Sequence, residues 1–254
     1  MMARSALKAS RLLVRDFGEI ENLLASPKQP EEFAAVAARR TEKILCETLH
    51  ELYPTYNFLV GSSGMMQHGE ADAPCWIIDP LDGTQNFLHG LGHFSINIAL
   101  REGSSITAGI VYNPLRDELF WAQKGIGTFL NQQRIRVSGQ TQSLKCILAA
   151  QSFGHQSVPE AYRALQSIAG HVAGVRSWGA TSLDCAYVAS GRCDGIWLYK
   201  AQPWEIAAGM LLIKEAGGFV TDHHGGTMAL ERGDILAGNE RIHAFLLRQM
   251  GMLP

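Results

Sequence analysis

The sequence predicts a layered α/β (α+β) protein of 254 residues, with two subregions sharing one body. Three observations predict it. The first third carries helical periodicity, the stretch after Pro54 breaks into short strands with tight turns, and from about residue 146 strands alternate with helices.

In chain order, "SALKASRLLVRDF" places apolar residues at helical spacing. "PEEFAAVAARRTEKILCETLHELYP" opens with Pro30 and two acids and stops before Pro54, with Phe33, Val36, Ile44, Leu45 and Leu49 as its expected buried stripe. "NFLVG", "CWIID", "FSINIALRE", "ITAGIVYNP", "ELFWAQKG", "TFLN" and "RIRVS" then read as strands parted by Gly, Asn, Asp and Ser. Short turns between close strands predict an antiparallel sheet. Next come strand "CILAAQ", helix "PEAYRALQSIAG", strand "VAGVRSW" and helix "ATSLDCAYVAS". Strand "DGIWLYK", helix "PWEIAAGMLLIKEAGG", strands "FVTD" and "DILAG" and helix "ERIHAFLLRQM" complete the chain. A soft boundary near Gly139–Ser143 divides residues 1–142 from 143–254, with no linker composition.

Composition narrows the function classes. A formal charge of −2 without a long basic block disfavours general nucleic-acid binding, and no apolar run approaches the ~20 residues of a membrane helix. The N-terminus has no secretory h-region. The five cysteines (46, 75, 146, 185 and 193) are odd in number, widely spaced and without C-x-x-C. Free thiols in a reducing cytoplasm are the expectation.

The stretch "CWIIDPLDGTQNF" concentrates the chemistry. Asp79 ends an apolar strand, Pro80 sets the chain direction, and Gly83 permits an unusual dihedral beside the Thr84 hydroxyl. Two carboxylates at a strand end, Asp79 and Asp82, repel one another unless a cation or a proton joins them. Oxygen-only ligands favour a hard ion such as Mg²⁺ or Mn²⁺. The alternative is a surface turn in which Asp is merely a turn former. A second feature is "QPWEIAAG", where Glu205 sits in the first turn of a helix, either as a ligand or as an ordinary cap.

Together these residues resemble the inositol monophosphatase family. Asp79 to Phe87 match its motif D-P-[IL]-D-G-T-x-N-F, and Trp204 to Gly209 match W-D-x-A-A-G with Glu205 in place of Asp. "VYNPLRDELFWAQKGIGTFLN", "GATSLDCAYVASGRCDG" and "EAGGFVTD" resemble further family segments, in family order. The resemblance implies an α-β-α-β-α sugar-phosphatase fold, a homodimer, and hydrolysis of a small phosphorylated polyol or sugar by water activated on two or three Mg²⁺ ions. It assigns metal contacts to Asp79, the Leu81 carbonyl, Asp82 and Glu205. Phosphate contacts fall to the Gly83 and Thr84 amides, water orientation to the Thr84 hydroxyl, and the substrate wall to Gly179, Ala180 and Thr181.

The departures from the family pattern fall on acids. Gly61 and Ser62 stand where relatives carry two glutamates, Ala38 where many carry an aspartate, and Leu198 where a glutamate meets substrate hydroxyls. Glu70 is a candidate replacement, although its register is unfavourable. Loss of a water-activating carboxylate forfeits about 10²–10⁴-fold in rate, so weakened turnover with fewer ions is expected. A non-catalytic phosphate-ligand-binding or regulatory homodimer is the alternative, and a sugar bisphosphate or nucleotide phosphatase a third reading. His223, His224, His89 and His93 read as structural and Lys200 as solvated, while Trp76 and Trp204 read as walls of the site.

Overall fold

Residues 1–20, 30–151 and 158–251 are described by a computed structural model. Strands β1 (Asn57–Val60), β2 (Gly64–Met66), β3 (Cys75–Asp82), β4 (Ser95–Glu102), β5 (Ser105–Asn113), β6 (Glu118–Gln123), β7 (Gly127–Leu130) and β8 (Gln133–Ile135) form one sheet. Their order is β2-β1-β3-β4-β5-β6-β7-β8. A second sheet has the order β10-β9-β11-β13-β12. It contains β9 (Ile147–Ala150), β10 (Gly174–Arg176), β11 (Gly195–Leu198), β12 (Phe219–Thr221) and β13 (Ile235–Gly238).

The period-2 alternation of side chains explains why β3 is buried along its whole length. Trp76 and Ile78 join a core with helices α1 (Met2–Gly18) and α2 (Pro30–His50) on the outer face. Ile77 faces the opposite core, shared with α5 (Thr181–Ala189) and α6 (Pro203–Glu215). Those two helices lie between the sheets, so Ile206 to Ile213 of α6 are buried on every side. Small residues permit the close fit: a Cβ on Gly109 of β5 would lie 3.1 Å from the Ala208 Cα. The outer face of the second sheet, with Leu148, Trp197 and Leu236, is covered by α4 (Pro159–Ala169) and α8 (Glu240–Gly251). The layers therefore run α-β-α-β-α, as the family resemblance implies. Each fully buried Ile or Leu contributes about 1.5–3 kcal/mol.

The first sheet is antiparallel except at one pair. β1 turns into β2, which pairs antiparallel on its outer edge, and the chain then returns to start β3 beside the start of β1. β1 and β3 thus run parallel, with Asn57 opposite Cys75 and Val60 opposite Ile78. That pairing sets the Gly61 turn next to the end of β3, where the Gly61 amide donates to the Ile78 carbonyl at 3.1 Å.

β2, α3 (Thr84–Leu88), α7 (Ala229–Arg232) and the 3₁₀ turn Ser143–Lys145 were not expected, because segments of three to five residues show no periodicity. The buried stripe of α2 also differs from expectation. Ala34, Ala37, Thr41, Leu45 and Leu49 are buried, whereas Phe33, Val36 and Ile44 are half-buried at its flank. Small residues let α2 approach α1 closely, and the larger ones slide to the edge. All five cysteines are free, four of them buried. Among the described residues no helix is long and apolar enough to cross a membrane.

Candidate active site

The register of β3 against β4 slips between Asp79 and Asp82, which turns both carboxylates toward the sheet end. Within the turn, the Leu81 amide donates to Asp79 Oδ1 at 3.0 Å and the Thr84 hydroxyl donates to the Leu81 carbonyl at 3.0 Å. Gly83 has φ +86°, and a Cβ there would lie 2.9 Å from the His93 carbonyl oxygen and 3.0 Å from the Ala180 Cβ. Both dihedral and space demand glycine at this position.

Asp82 reaches the N-terminus of α5. Its Oδ1 accepts from the Thr181 amide at 3.2 Å and its Oδ2 from the Ser182 amide at 2.8 Å. Orphan amides and the helix dipole both favour a carboxylate there. Glu205 opens α6 in a capping box, its Oε2 accepting from the Gln202 amide at 2.6 Å. The Ser182 hydroxyl donates to the Glu205 carbonyl at 2.5 Å, tying the starts of α5 and α6 together.

These elements enclose a cavity of about 840 Å³. Asp79 to Gln85 form its floor, Gly179 and Thr181 one side, and Leu198 to Ala201 with Gln151 the far side. Trp204 and Glu205 line it as well, and Ala38, Gly61 and Ser62 complete the remaining wall. Residues distant in sequence meet here because β1 and β3 end side by side and α2 passes over them.

The electrostatics of the floor show unmet negative charge. Burial pushes the Asp79 carboxyl well above its usual range, with Asp82 and Glu205 adding repulsion. Burial raises Asp82 to about 7, reinforced by Glu205 and opposed by the Ser182 and Thr181 amides. Glu205 is raised by burial and held back by the Gln202 amide. Such a floor favours a proton or a cation. Two buried carboxylates, the Leu81 carbonyl and cavity water fit one Mg²⁺, which commonly uses one or two carboxylates and completes its shell with water and phosphate oxygens. Among the described residues, no group of three acidic, His or Cys side chains is gathered to hold a metal on its own. Glu205 lines the same cavity, with its Oε2 engaged by the Gln202 amide of its own helix cap.

The other expected residues separate clearly. Thr84, Gly83, Gly179 and Thr181 line the cavity, but Ala180 is fully buried against Gly83 and is not part of the lining. The positions of Ala38, Gly61 and Leu198 are all on the wall, so no carboxylate enters from any of them. Glu70 does not compensate. It is exposed, and its carbonyl accepts from the Asn57 side chain at 2.8 Å, at the opposite end of β1 from the cavity.

Two features escaped sequence reasoning. The Trp204 indole has moved into the place of a side chain at 61: a Cβ on Gly61 would lie 2.9 Å from Nε1 and 3.0 Å from Cδ1. Glu42, buried one turn beyond Ala38 on α2, accepts from the Ser62 and Ser63 hydroxyls and clamps that turn. The i, i+4 spacing of Ala38 and Glu42 was the available signal.

A sequence profile of the inositol monophosphatase family matches residues 2–251. The chain is 43% identical over 256 residues to an inositol-1-monophosphatase of Rhizobium meliloti, covering 100% of this chain and 96% of the relative. It is 36% identical over 250 residues to the Nus factor SuhB of Pseudomonas aeruginosa, covering 96% of this chain and 92% of the relative. The crystal structure of the extragenic suppressor protein suhB from Bartonella henselae superposes with a TM-score of 0.89 at 40% identity, covering 99% of this chain and 97% of that one. Motif, layer order and these likenesses agree: the chain belongs to the inositol monophosphatase family.

Proposed function

We propose that this protein is a cytoplasmic homodimer that binds a small phosphorylated polyol or sugar in the cavity and hydrolyses it slowly. Members of the family are generally Mg²⁺-dependent. Asp79, the Leu81 carbonyl and Asp82 would hold one ion, with Glu205 as outer partner. Bound there, Mg²⁺ would supply a Lewis acid for the phosphoryl oxygens and an acidified water. The Gly83 and Thr84 amides would hold phosphate oxygens, the Thr84 hydroxyl would orient water, and Gly179 and Thr181 would face the ester's alcohol side.

The observation that carries the reduced rate is the wall of Ala38, Gly61 and Ser62, which brings no carboxylate to the water side. The expected loss is about 10²–10⁴-fold. A second reading, a phosphate-ligand-binding or regulatory dimer without turnover, is favoured by Trp204 standing in the space at Gly61.

The test is Mg²⁺-dependent phosphate release from inositol and sugar monophosphates, run beside calorimetric binding of the same esters and sedimentation of the protein. Slow release with measurable binding supports the first reading, and binding without release supports the second. Turnover in the ordinary range of about 1–10³ s⁻¹ would overturn the impaired-site argument.

A further inference from the structure

The far side of the cavity carries an observation that the phosphate end does not explain. Lys200 lines the cavity and is the only cationic side chain among its described lining residues. It forms no close ion pair among the described residues, and the only acid its charge is seen to favour is the exposed Glu160 on α4, outside the cavity lining. Its backbone has φ +52°, in the left-handed region. The other non-glycine residues with positive φ are Asp117 and Asn131, types that tolerate it. A glycine would relieve the strain at position 200, so a lysine there points to a use for its side chain.

The loop is also fixed in place. The Lys200 amide donates to Asp234 Oδ1 at 3.0 Å, and the Ala201 amide donates to the Gly233 carbonyl at 2.9 Å. Beside it, Leu198 is buried and offers no acceptor for a substrate hydroxyl. The Gln151 side chain, on the same side, is occupied by accepting from the Tyr199 amide at 2.6 Å. This end of the cavity therefore presents a cation and apolar surface where a polyol needs acceptors.

We infer that Lys200 is a specificity-determining residue that selects phosphate esters bearing a second anionic group, a phosphate or a carboxylate, over neutral sugar phosphates. The inference rests on the proposed phosphate site and names its substrate class. An ammonium is a point charge and accepts either anion. Its exposure limits the discrimination to that of a solvent-exposed charge pair, about two- to fivefold.

The experiment is calorimetric titration, with Mg²⁺ present, of inorganic phosphate, glucose 6-phosphate, 6-phosphogluconate and fructose 1,6-bisphosphate. The proteins are wild type, Lys200→Gly and Lys200→Glu. Wild type is expected to favour the doubly anionic esters about two- to fivefold over glucose 6-phosphate at low salt, less at high salt. Preference for both anionic esters identifies general anion selection, and preference for the bisphosphate alone identifies a second phosphate. Lys200→Gly should melt at or above the wild-type temperature while the preference falls to near one, and Lys200→Glu should reverse it. Equal wild-type affinities for the esters, or a preference surviving in Lys200→Gly, would overturn the inference and leave the phosphate site standing. Failure of wild type to bind inorganic phosphate and every ester would overturn both.

Discussion

Substituting Gly61 with alanine probes how the acid-free wall is built. The new Cβ would lie 2.9 Å from Trp204 Nε1, 3.0 Å from Cδ1 and 3.3 Å from Cε2, all atoms of one indole. Gly61 does not have a left-handed dihedral, so the usual gain from Gly→Ala through the unfolded chain, about 0.4–1 kcal/mol, still applies. Overpacking costs about 1–3 kcal/mol, leaving a net loss of about 1.3 kcal/mol at the middle of both ranges. At this chain length that lowers Tm by about 3–5 °C. Gly139→Ala is the control, since nothing lies within 4 Å of its Cβ. Trp204→Ala removes the indole that carries the clash, so the pair Gly61→Ala and Trp204→Ala should couple by at least about 0.5 kcal/mol in urea denaturation. Additive effects, or a Gly61→Ala protein as stable as wild type, would refute the reasoning. The same geometry governs repair of the site. Gly61→Glu alone should recover little phosphate release, because the indole must first move, and Gly61→Glu with Trp204→Ala should recover more.

Three further outcomes follow from the cavity floor. Asp82→Asn removes repulsion with Asp79 and Glu205 but keeps an acceptor for only one of the Thr181 and Ser182 amides, so thermal melting should show a smaller Mg²⁺-induced rise in Tm than in wild type. The raised Asp79 and Asp82 carboxyls hold protons in the folded state that the unfolded chain has released. Metal-free stability should accordingly fall as pH rises from about 4 through about 7, the range between the ordinary and the raised carboxyl values. Melting in EDTA across that range checks it, and rising stability would contradict it. Gly83→Ala, with φ +86° and a Cβ 2.9 Å from the His93 carbonyl oxygen, should cost about 2–4 kcal/mol, combining αL strain with a backbone clash.

The floor of the site was legible in the sequence because its chemistry is local. Pro80, Gly83 and Thr84 are turn residues with fixed meanings, and seven residues from Asp79 to Gln85 supply a whole side of the cavity. Strand and helix identities were likewise written in periodicity. What periodicity does not encode is which strands become neighbours. The parallel pairing of β1 with β3 depends on the three-residue strand β2, too short to show a period. For the same reason the sequence offers Glu70 as a replacement acid, yet the fold places it at the wrong end of β1. Ala180 sits between two cavity-lining residues, but its side chain points into the core against Gly83.

Two of the acid-free positions, Ala38 and Gly61, share one wall of the cavity, while Leu198 lies on its far side. Ala38 and Gly61 belong to different elements and meet only in the folded protein. The space at Gly61 is filled by Trp204, and the adjoining turn is satisfied by Glu42 through the Ser62 and Ser63 hydroxyls. A carboxylate removed without adjustment leaves a void or an unpaired donor, each costing about 1–3 kcal/mol. Here the neighbours have closed both. On the floor, the Asp79 and Asp82 carboxylates stay buried despite their mutual repulsion, a cost that an apolar pair would not carry. On the proposed reading, a protein that retains the strained half of a site and makes the other half comfortable would keep ligand binding and give up water activation. The paired binding and phosphate-release measurements are built to separate those two properties.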